Sequence, residues 1–243
     1  MAQVKGVFFD AAGTLFETRE PVGETYARLA RAYGVDASAE AVDAGFRRTF
    51  RDASPLAFGP GRDPGELRHL ERDWWRGLVA KSFAGIGKFS DFDAYFNALF
   101  EFFADPAHWV ADPEALPTLR ALRERGLTVG VISNFDHRLY RILGGLGLRP
   151  SFDSVTISSE AGFAKPSTRI FETALERHRL APSEALHIGD SEHLDLAGAS
   201  AAGLVAVLLN RKRSEPIWIQ GRAGEISSLS EVINVMRVFD GGS

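Results

Sequence analysis

The stretch Val7-Phe8-Phe9-Asp10-Ala11-Ala12-Gly13-Thr14-Leu15-Phe16 decides the fold: an apolar strand runs into a carboxylate and then into a glycine turn bearing a hydroxyl. With Val4, the residues Val7, Phe8 and Phe9 suit a parallel strand buried on both faces, and the chain then meets solvent at Asp10, the strand's carboxyl end. Open α/β sheets place their ligand sites at that end. A carboxylate there, beside free backbone N–H groups of a glycine turn, can act as a nucleophile on an anion that those groups hold. The same residues, taken alone, also describe a strand closed by an Asp-Gly turn.

Outward from this stretch, 243 residues allow one large domain or a core with an insert. A hydrophobic share of 45% and a charged share of 25% are ordinary for a globular protein. A net charge of −4 supplies no basic field for nucleic acid or anionic lipid, so a small molecule is the expected partner, with no nucleic acid and no membrane. The absence of cysteine excludes disulfides, thiol catalysis and cysteine-ligated metals, and fits a reducing compartment. No apolar run approaches the ~20 residues of a membrane helix, and the N-terminus enters its first strand without room for a signal sequence. The expected location is cytoplasmic.

After Phe16 the periodicity turns helical for roughly a hundred residues. Tyr26, Leu29, Ala30 and Tyr33 share a face that Gly34 ends, and Val42, Phe46 and Phe50 mark a helix opening at Ser38. Beyond a loop from Ser54 to Gly65, Leu67, Leu70, Trp74 and Leu78 predict a third helix. Phe92, Tyr95, Phe96, Leu99, Phe100 and Phe103 predict a fourth, whose aromatic stripe reads as bundle core. From Asp112-Pro113-Glu114, helices alternate with strands at 127–132, 155–157, 186–188 and 204–209. That alternation predicts a doubly wound parallel α/β sheet. Ser228-Leu229-Ser230-Glu231 has capping-box spacing before a last helix.

Polar residues recur where these strands end. Ser133-Asn134 offers a hydroxyl and an amide to an anion, or forms a turn with an Asn cap. Lys165 precedes Pro166 and a helix, as an anion ligand or a solvated charge. Asp190 follows Gly189 at the fourth strand's end, with Asp195 beyond, as a hard-cation ligand or a turn residue.

These four motifs, completed by Ile170-Phe171, Gly198-Ala199 and Ala202-Gly203, resemble in order and spacing those of the haloacid dehalogenase superfamily, over almost the whole chain. The resemblance implies a Rossmann-like core at 1–16 and 112–243 with an α-helical cap at 17–111. Ser133-Asn134-Phe135-Asp136 and Trp74-Trp75 are similar to the subgroup named for a rhythmically expressed gene product. By resemblance, Asp10 is the nucleophile that forms an aspartyl phosphate, and Thr14, Ser133, Asn134 and Lys165 hold the phosphoryl oxygens. Asp10, Asp190 and the Ala12 carbonyl bind Mg²⁺, with Asp195 supporting that metal site. The expected substrate is a small phosphorylated metabolite.

One position departs from the pattern. Superfamily phosphatases usually carry a second Asp two residues past the nucleophile as general acid and base, where this chain has Ala12. The expected enzyme is therefore slow, or borrows a proton from the cap, with Glu17 a candidate. The alternatives are a phosphonatase using Lys81 or Lys88 as Schiff base, a metal-free dehalogenase, against which Asp190 counts, and a phosphate-binding or interaction protein that has lost turnover. His137, Arg138 and His193 are candidates for the site entrance, and one of Arg47, Arg48 and Arg51 for substrate recognition. His187 reads as a core histidine.

Overall fold

A computed structural model of the protein describes residues 3–213 and 218–239. Its centre is strand β1 (Gly6–Phe9), fully buried as its apolar run requires. Val7 and Phe9 join one apolar cluster and Phe8 the other, because successive strand residues point to opposite faces of the sheet. Burying each such side chain contributes roughly 1.5–3 kcal/mol.

The parallel strands β4 (Thr128–Ser133) and β6 (Ala185–Gly189) flank β1. β5 (Ser154–Ile157) lies outside β4, and β7 (Val205–Leu209) outside β6. The helices α5 (Ala115–Glu124), α6 (Arg138–Gly145) and α10 (Val232–Phe239) cover the face bearing Val7 and Phe9, through Leu119, Ile142 and Val235. α8 (Thr168–Glu176) and α9 (Gly198–Ala201) cover the other face with Ile170, Phe171 and Ala199. The expected doubly wound α/β architecture is therefore present.

The sheet is larger than its sequence signal. It has seven strands in the order β5-β4-β1-β6-β7-β9-β8. β9 (Ala223–Ile226) runs parallel to β7, whereas β8 (Trp218–Gln220) pairs antiparallel at the edge, an addition to the expected parallel sheet. Ser228 and Glu231 form the expected capping box, which turns the chain into α10.

Between β1 and β4 come the helices α1 (Val22–Arg31), α2 (Ala39–Asp52), α3 (Pro64–Ser82) and α4 (Phe92–Ala104). They share an apolar cluster of their own around Tyr26, Val42, Val79, Phe83 and Tyr95. Ser38, Asp63 and Asp91 accept N-cap bonds from Ala41, Gly65 and Ala94 at 3.2, 2.8 and 2.9 Å; each such cap is worth about 1 kcal/mol. The chain enters and leaves this insert through a two-stranded antiparallel ribbon of β2 (Phe16–Thr18) and β3 (Trp109–Ala111). Polar bonds also tie the insert to the sheet layer: Ser158 Oγ donates to the Leu56 carbonyl at 2.7 Å, and Trp75 Nε1 to Asp136 Oδ2 at 2.6 Å.

Candidate active site

Parallel register brings the strand ends together. Phe9 lies opposite Val131 of β4 and Ile188 of β6, and the Asp10 N–H donates to the Ile188 carbonyl at 2.8 Å. The chain moves from β1 to β4 on one side and later to β6 on the other, so Asp10 stands at the crevice where the winding reverses.

Lys165 reaches this crevice from the loop before α8. The loop is fixed by a reciprocal pair: the Lys165 N–H donates to Asn134 Oδ1 at 2.7 Å, and Asn134 Nδ2 donates to the Lys165 carbonyl at 2.9 Å. The Asn134 amide, expected at the phosphoryl oxygens, thus spends its oxygen and one of its N–H donors on positioning Lys165. The buried Lys165 ammonium donates to Asp10 Oδ1 at 2.7 Å and to Asp195 Oδ1 at 2.6 Å. Burial alone would lower its pKa, but the two carboxylates outweigh that and raise it, so the lysine stays charged.

Asp195 is the hub of this arrangement. Its Oδ1 also accepts from His187 Nε2 at 2.8 Å, and its Oδ2 from the Ser191 N–H at 3.1 Å. Burial opposes its ionisation, yet the Lys165 charge and the His187 bond hold it well below the usual carboxylate range. His187 is fully buried, and burial lowers its pKa despite Asp195, so the ring is neutral, with Nε2–H donating and Nδ1 unpartnered. The sequence reading of His187 as a satisfied core histidine missed this bond, because β6 alternation reports burial and not the partner eight residues on.

The carboxylates of Asp10, Asp190 and Asp195 offer oxygens within 4.8 Å of one another. An all-oxygen set with one cation among three carboxylates suits a hard divalent ion. Asp190 keeps an exposed face, yet partial desolvation, then the neighbouring Asp10 and Asp195 charges, push its carboxyl up to about 6, which is the strain such an ion would relieve. Gly13 permits the crowding: its φ is +88°, and a Cβ there would lie 2.5 Å from Asp190 Oδ2. At Gly189 a Cβ would lie 2.1 Å from Asp195 Cγ, so no side chain fits.

A raised folded-state pKa means that ionised Asp190 destabilises the metal-free protein at neutral pH, an effect that fades as pH falls from about 6 towards the unfolded value near 4. Asp190→Asn is therefore expected to raise the melting temperature in chelator at pH 7.5, and the gain should vanish by about pH 4. Mg²⁺ should stabilise the wild type and not the variant. A lower melting temperature for the variant at pH 7.5 would contradict this charge crowding.

The remaining expected site residues divide. Ser133, Ala12 and Asn134 line one large cavity with Asp10, Lys165 and Asp190. Thr14 does not: it is fully buried, and its hydroxyl has no hydrogen-bond partner. In the glycine turn the N–H groups of Gly13, Thr14 and Leu15 donate to carbonyls of Phe16 and Ala11, whereas those of Ala11 and Ala12, next to Asp10, make no such bond and remain the free amides of the turn. Glu17, Arg51, Arg138 and His193 reach the cavity, whereas Arg47, Arg48, Lys81 and Lys88 are exposed outside its lining. The aromatic stripe of α4 serves twice: Phe96, Leu99 and Phe100 belong to the insert's apolar cluster and also form cavity wall.

Trp75 and Asp136, two separate sequence marks, turn out to be partners. Asp136 accepts from Trp75 Nε1 and takes two further bonds from the Arg138 guanidinium, at 2.9 and 2.7 Å. Beside them, the buried Glu71 carboxylate accepts from the His137 backbone N–H at 3.3 Å and pairs with its Nδ1. His137 and Arg138 thus join α3 to the loop after β4. Glu71 was not foreseen, since an acidic residue in a helix reads as solvated.

The fold and the constellation of strand-end residues define an α/β hydrolase core of the haloacid dehalogenase type. The chain belongs to the haloacid dehalogenase-like hydrolase family, whose sequence model matches residues 4–203. It is 38% identical over 209 residues to the human haloacid dehalogenase-like hydrolase domain-containing protein 3, covering 85% of this chain and 82% of that one. It is 30% identical over 221 residues to the glyceraldehyde 3-phosphate phosphatase of Methanothermobacter thermautotrophicus, covering 87% of this chain and 88% of that one. The solved structure of a haloacid dehalogenase-type phosphatase from Thermococcus onnurineus superposes with a TM-score of 0.66 at 25% identity, over 96% of this chain and 98% of that one. Dehalogenases are among the other solved structures that share the fold.

Proposed function

We propose that this hydrolase acts on phosphate monoesters through a covalent aspartyl phosphate on Asp10, with Mg²⁺ as cofactor. The observation that carries the reading is the buried Lys165 ammonium bonded at once to Asp10 and Asp195, with Asp190 beside them. The phosphatase name of a relative at 30% identity supports the same class.

An anionic nucleophile and an anionic phosphate repel, by about 1 kcal/mol at ~4 Å in water and about 4 kcal/mol at an effective dielectric of 20. Lys165 offsets that repulsion from a fixed position, and its bond to Asp10 aims one carboxylate oxygen while leaving the other free to attack. Mg²⁺, held by Asp10, Asp190 and the Ala12 carbonyl, would supply the remaining neutralisation of the phosphoryl oxygens. The Ser133 hydroxyl and the Lys165 ammonium hold those oxygens in line. Asp10 Oδ bonds to phosphorus as the ester P–O bond breaks, and the alcohol departs with a proton. Water then cleaves the acyl phosphate, releasing phosphate and restoring the Asp10 carboxylate.

Ala12 provides no acid for the departing alcohol and no base for that water. Glu17 lines the cavity and is the carboxylate available to deliver the first proton. The phosphonatase reading loses support, since Lys81 and Lys88 lie outside the cavity lining. Asp190 favours the metal-dependent reading over the metal-free dehalogenase one.

The test is a panel of phosphorylated metabolites assayed with and without Mg²⁺, run beside Ala12→Asp. Wild type should release phosphate slowly and only with the metal. The variant, regaining a carboxylate on the cavity wall, should turn over on the order of 10²-fold faster. Metal-independent activity, or no phosphate release by either protein, would overturn the proposal.

A further inference from the structure

The cavity that contains Asp10 and Lys165 has a volume of ≈ 830 Å³, and away from them its wall is apolar. That volume lies in the range that encloses ligands of drug size, far beyond a triose phosphate. Val22 and Tyr26 of α1, Phe46 of α2, Trp75 and Val79 of α3 and Leu99 of α4 supply the surface. Phe50 continues it to the outside, where it is 45% exposed beside the exposed Arg51.

The indole N–H groups and the Arg138 guanidinium along this wall are already committed, while Glu17, Thr18, Arg51 and His193 also contribute polar lining. Trp74 Nε1 donates to the Ser54 carbonyl at 2.9 Å, Trp75 Nε1 to Asp136 at 2.6 Å, and Trp109 Nε1 to the Phe103 carbonyl at 3.1 Å. Arg138 is neutralised by both oxygens of Asp136, and its guanidinium carbon lies 5.0 and 4.0 Å from the ring centroids of Trp75 and Phe100. A sugar placed against these apolar side chains would bury hydroxyls without partners, and among the described residues the remaining arginine of the lining, Arg51, is exposed and bonded to Asp52 at 3.1 Å. An alkyl or aromatic body would bury surface against surface without that penalty.

We propose that the substrate is the phosphate monoester of an apolar alcohol larger than a triose, its alkyl or aryl-alkyl body packed among the helices of the insert. This rests on the phosphatase reading above and narrows its substrate class. The phosphoryl group selects the Asp10 and Lys165 end, and body size selects among esters.

The experiment measures kcat/KM for ethyl, butyl and hexyl phosphate and for glyceraldehyde 3-phosphate with the Mg²⁺-loaded protein. All three alkyl esters expel a primary alkoxide, so the chemistry is constant and only the buried body varies. Each added methylene should raise kcat/KM about fourfold, giving on the order of a hundredfold from ethyl to hexyl. Glyceraldehyde 3-phosphate should fall near ethyl phosphate. A flat series, or glyceraldehyde 3-phosphate ahead of hexyl phosphate, overturns the inference while leaving the phosphatase reading intact. If no ester is cleaved, the phosphatase reading fails. Calorimetric titration with ethyl- and hexylphosphonate then decides the cavity's preference, tighter binding of the longer chain supporting it and equal binding refuting it.

Discussion

Asp10→Asn is expected to reduce phosphate release on the order of 10⁴-fold or more while the protein still folds and binds substrate. The amide keeps the shape of the carboxylate and one oxygen for the Lys165 ammonium, which now donates to Asp10 at 2.7 Å. It lacks the anionic oxygen that must bond to phosphorus, so the loss falls on kcat, with the dissociation constant for substrate changed little. The variant should also lose no thermal stability in chelator, because one of the charges crowding Asp190 has gone. Steady-state kinetics beside calorimetric binding separate these effects. A variant that retains a tenth of wild-type turnover would remove Asp10 from the reaction.

Lys165→Met carries the second large effect, and it strikes both stability and activity. The side chains keep similar length, but Asp10 and Asp195 would face each other without the ammonium that now bridges them at 2.7 and 2.6 Å. Removing one partner of a buried charge cluster costs roughly 3–5 kcal/mol. For a chain of this size that corresponds to a fall in melting temperature of about 10 °C. Asp195 is held below the usual carboxylate range by Lys165 in the wild type, so its contribution to stability is present at neutral pH and declines as the medium becomes acidic. The gap between wild type and variant should therefore hold from pH 7.5 down to about pH 4, near the unfolded value, and narrow below it. Activity should fall on the order of 10³-fold, as when a preorganised donor to a developing charge is lost. Thermal melts across pH test the first part and initial rates the second; a pH-independent stability gap would deny that Asp195 depends on Lys165.

What was legible in the chain follows from how each feature is encoded. Strands buried on both faces write themselves as apolar runs, so β1, β4, β6 and β7 could be read directly, and glycines with Ser38 marked helix boundaries, whereas Pro64 and Gly65, read as loop, open α3. The β2–β3 ribbon could not, since three residues per strand leave no period and the partners lie some ninety positions apart. Strand β8 is likewise three residues long, beyond the last clear alternation.

Around the site, Asp10, Asp190 and Lys165 could be placed by their positions after strands. The bonds that organise them could not. Nothing local distinguishes Lys165 from a solvated lysine, because its burial depends on carboxylates 155 positions before it and 30 after it. Asn134, expected at the phosphoryl oxygens from its residue type and the family resemblance, also pairs with the lysine loop, which its type alone does not reveal. Thr14, expected among the phosphate ligands, is fully buried with an unpartnered hydroxyl, a depth that the turn's sequence does not report.

The account depends most on a bond from phosphorus to Asp10, and a rapid-quench experiment observes it directly. Wild-type protein with Mg²⁺ and a phosphate monoester should be stopped in acid within the first turnover, digested, and examined by mass spectrometry. With Ala12 lacking a base to speed the second step, the peptide carrying Asp10 should hold a phosphoryl group, and Asp10→Asn should show none. If the ester is hydrolysed at the same rate while that peptide stays unmodified, water attacks phosphorus directly and the aspartyl phosphate is ruled out.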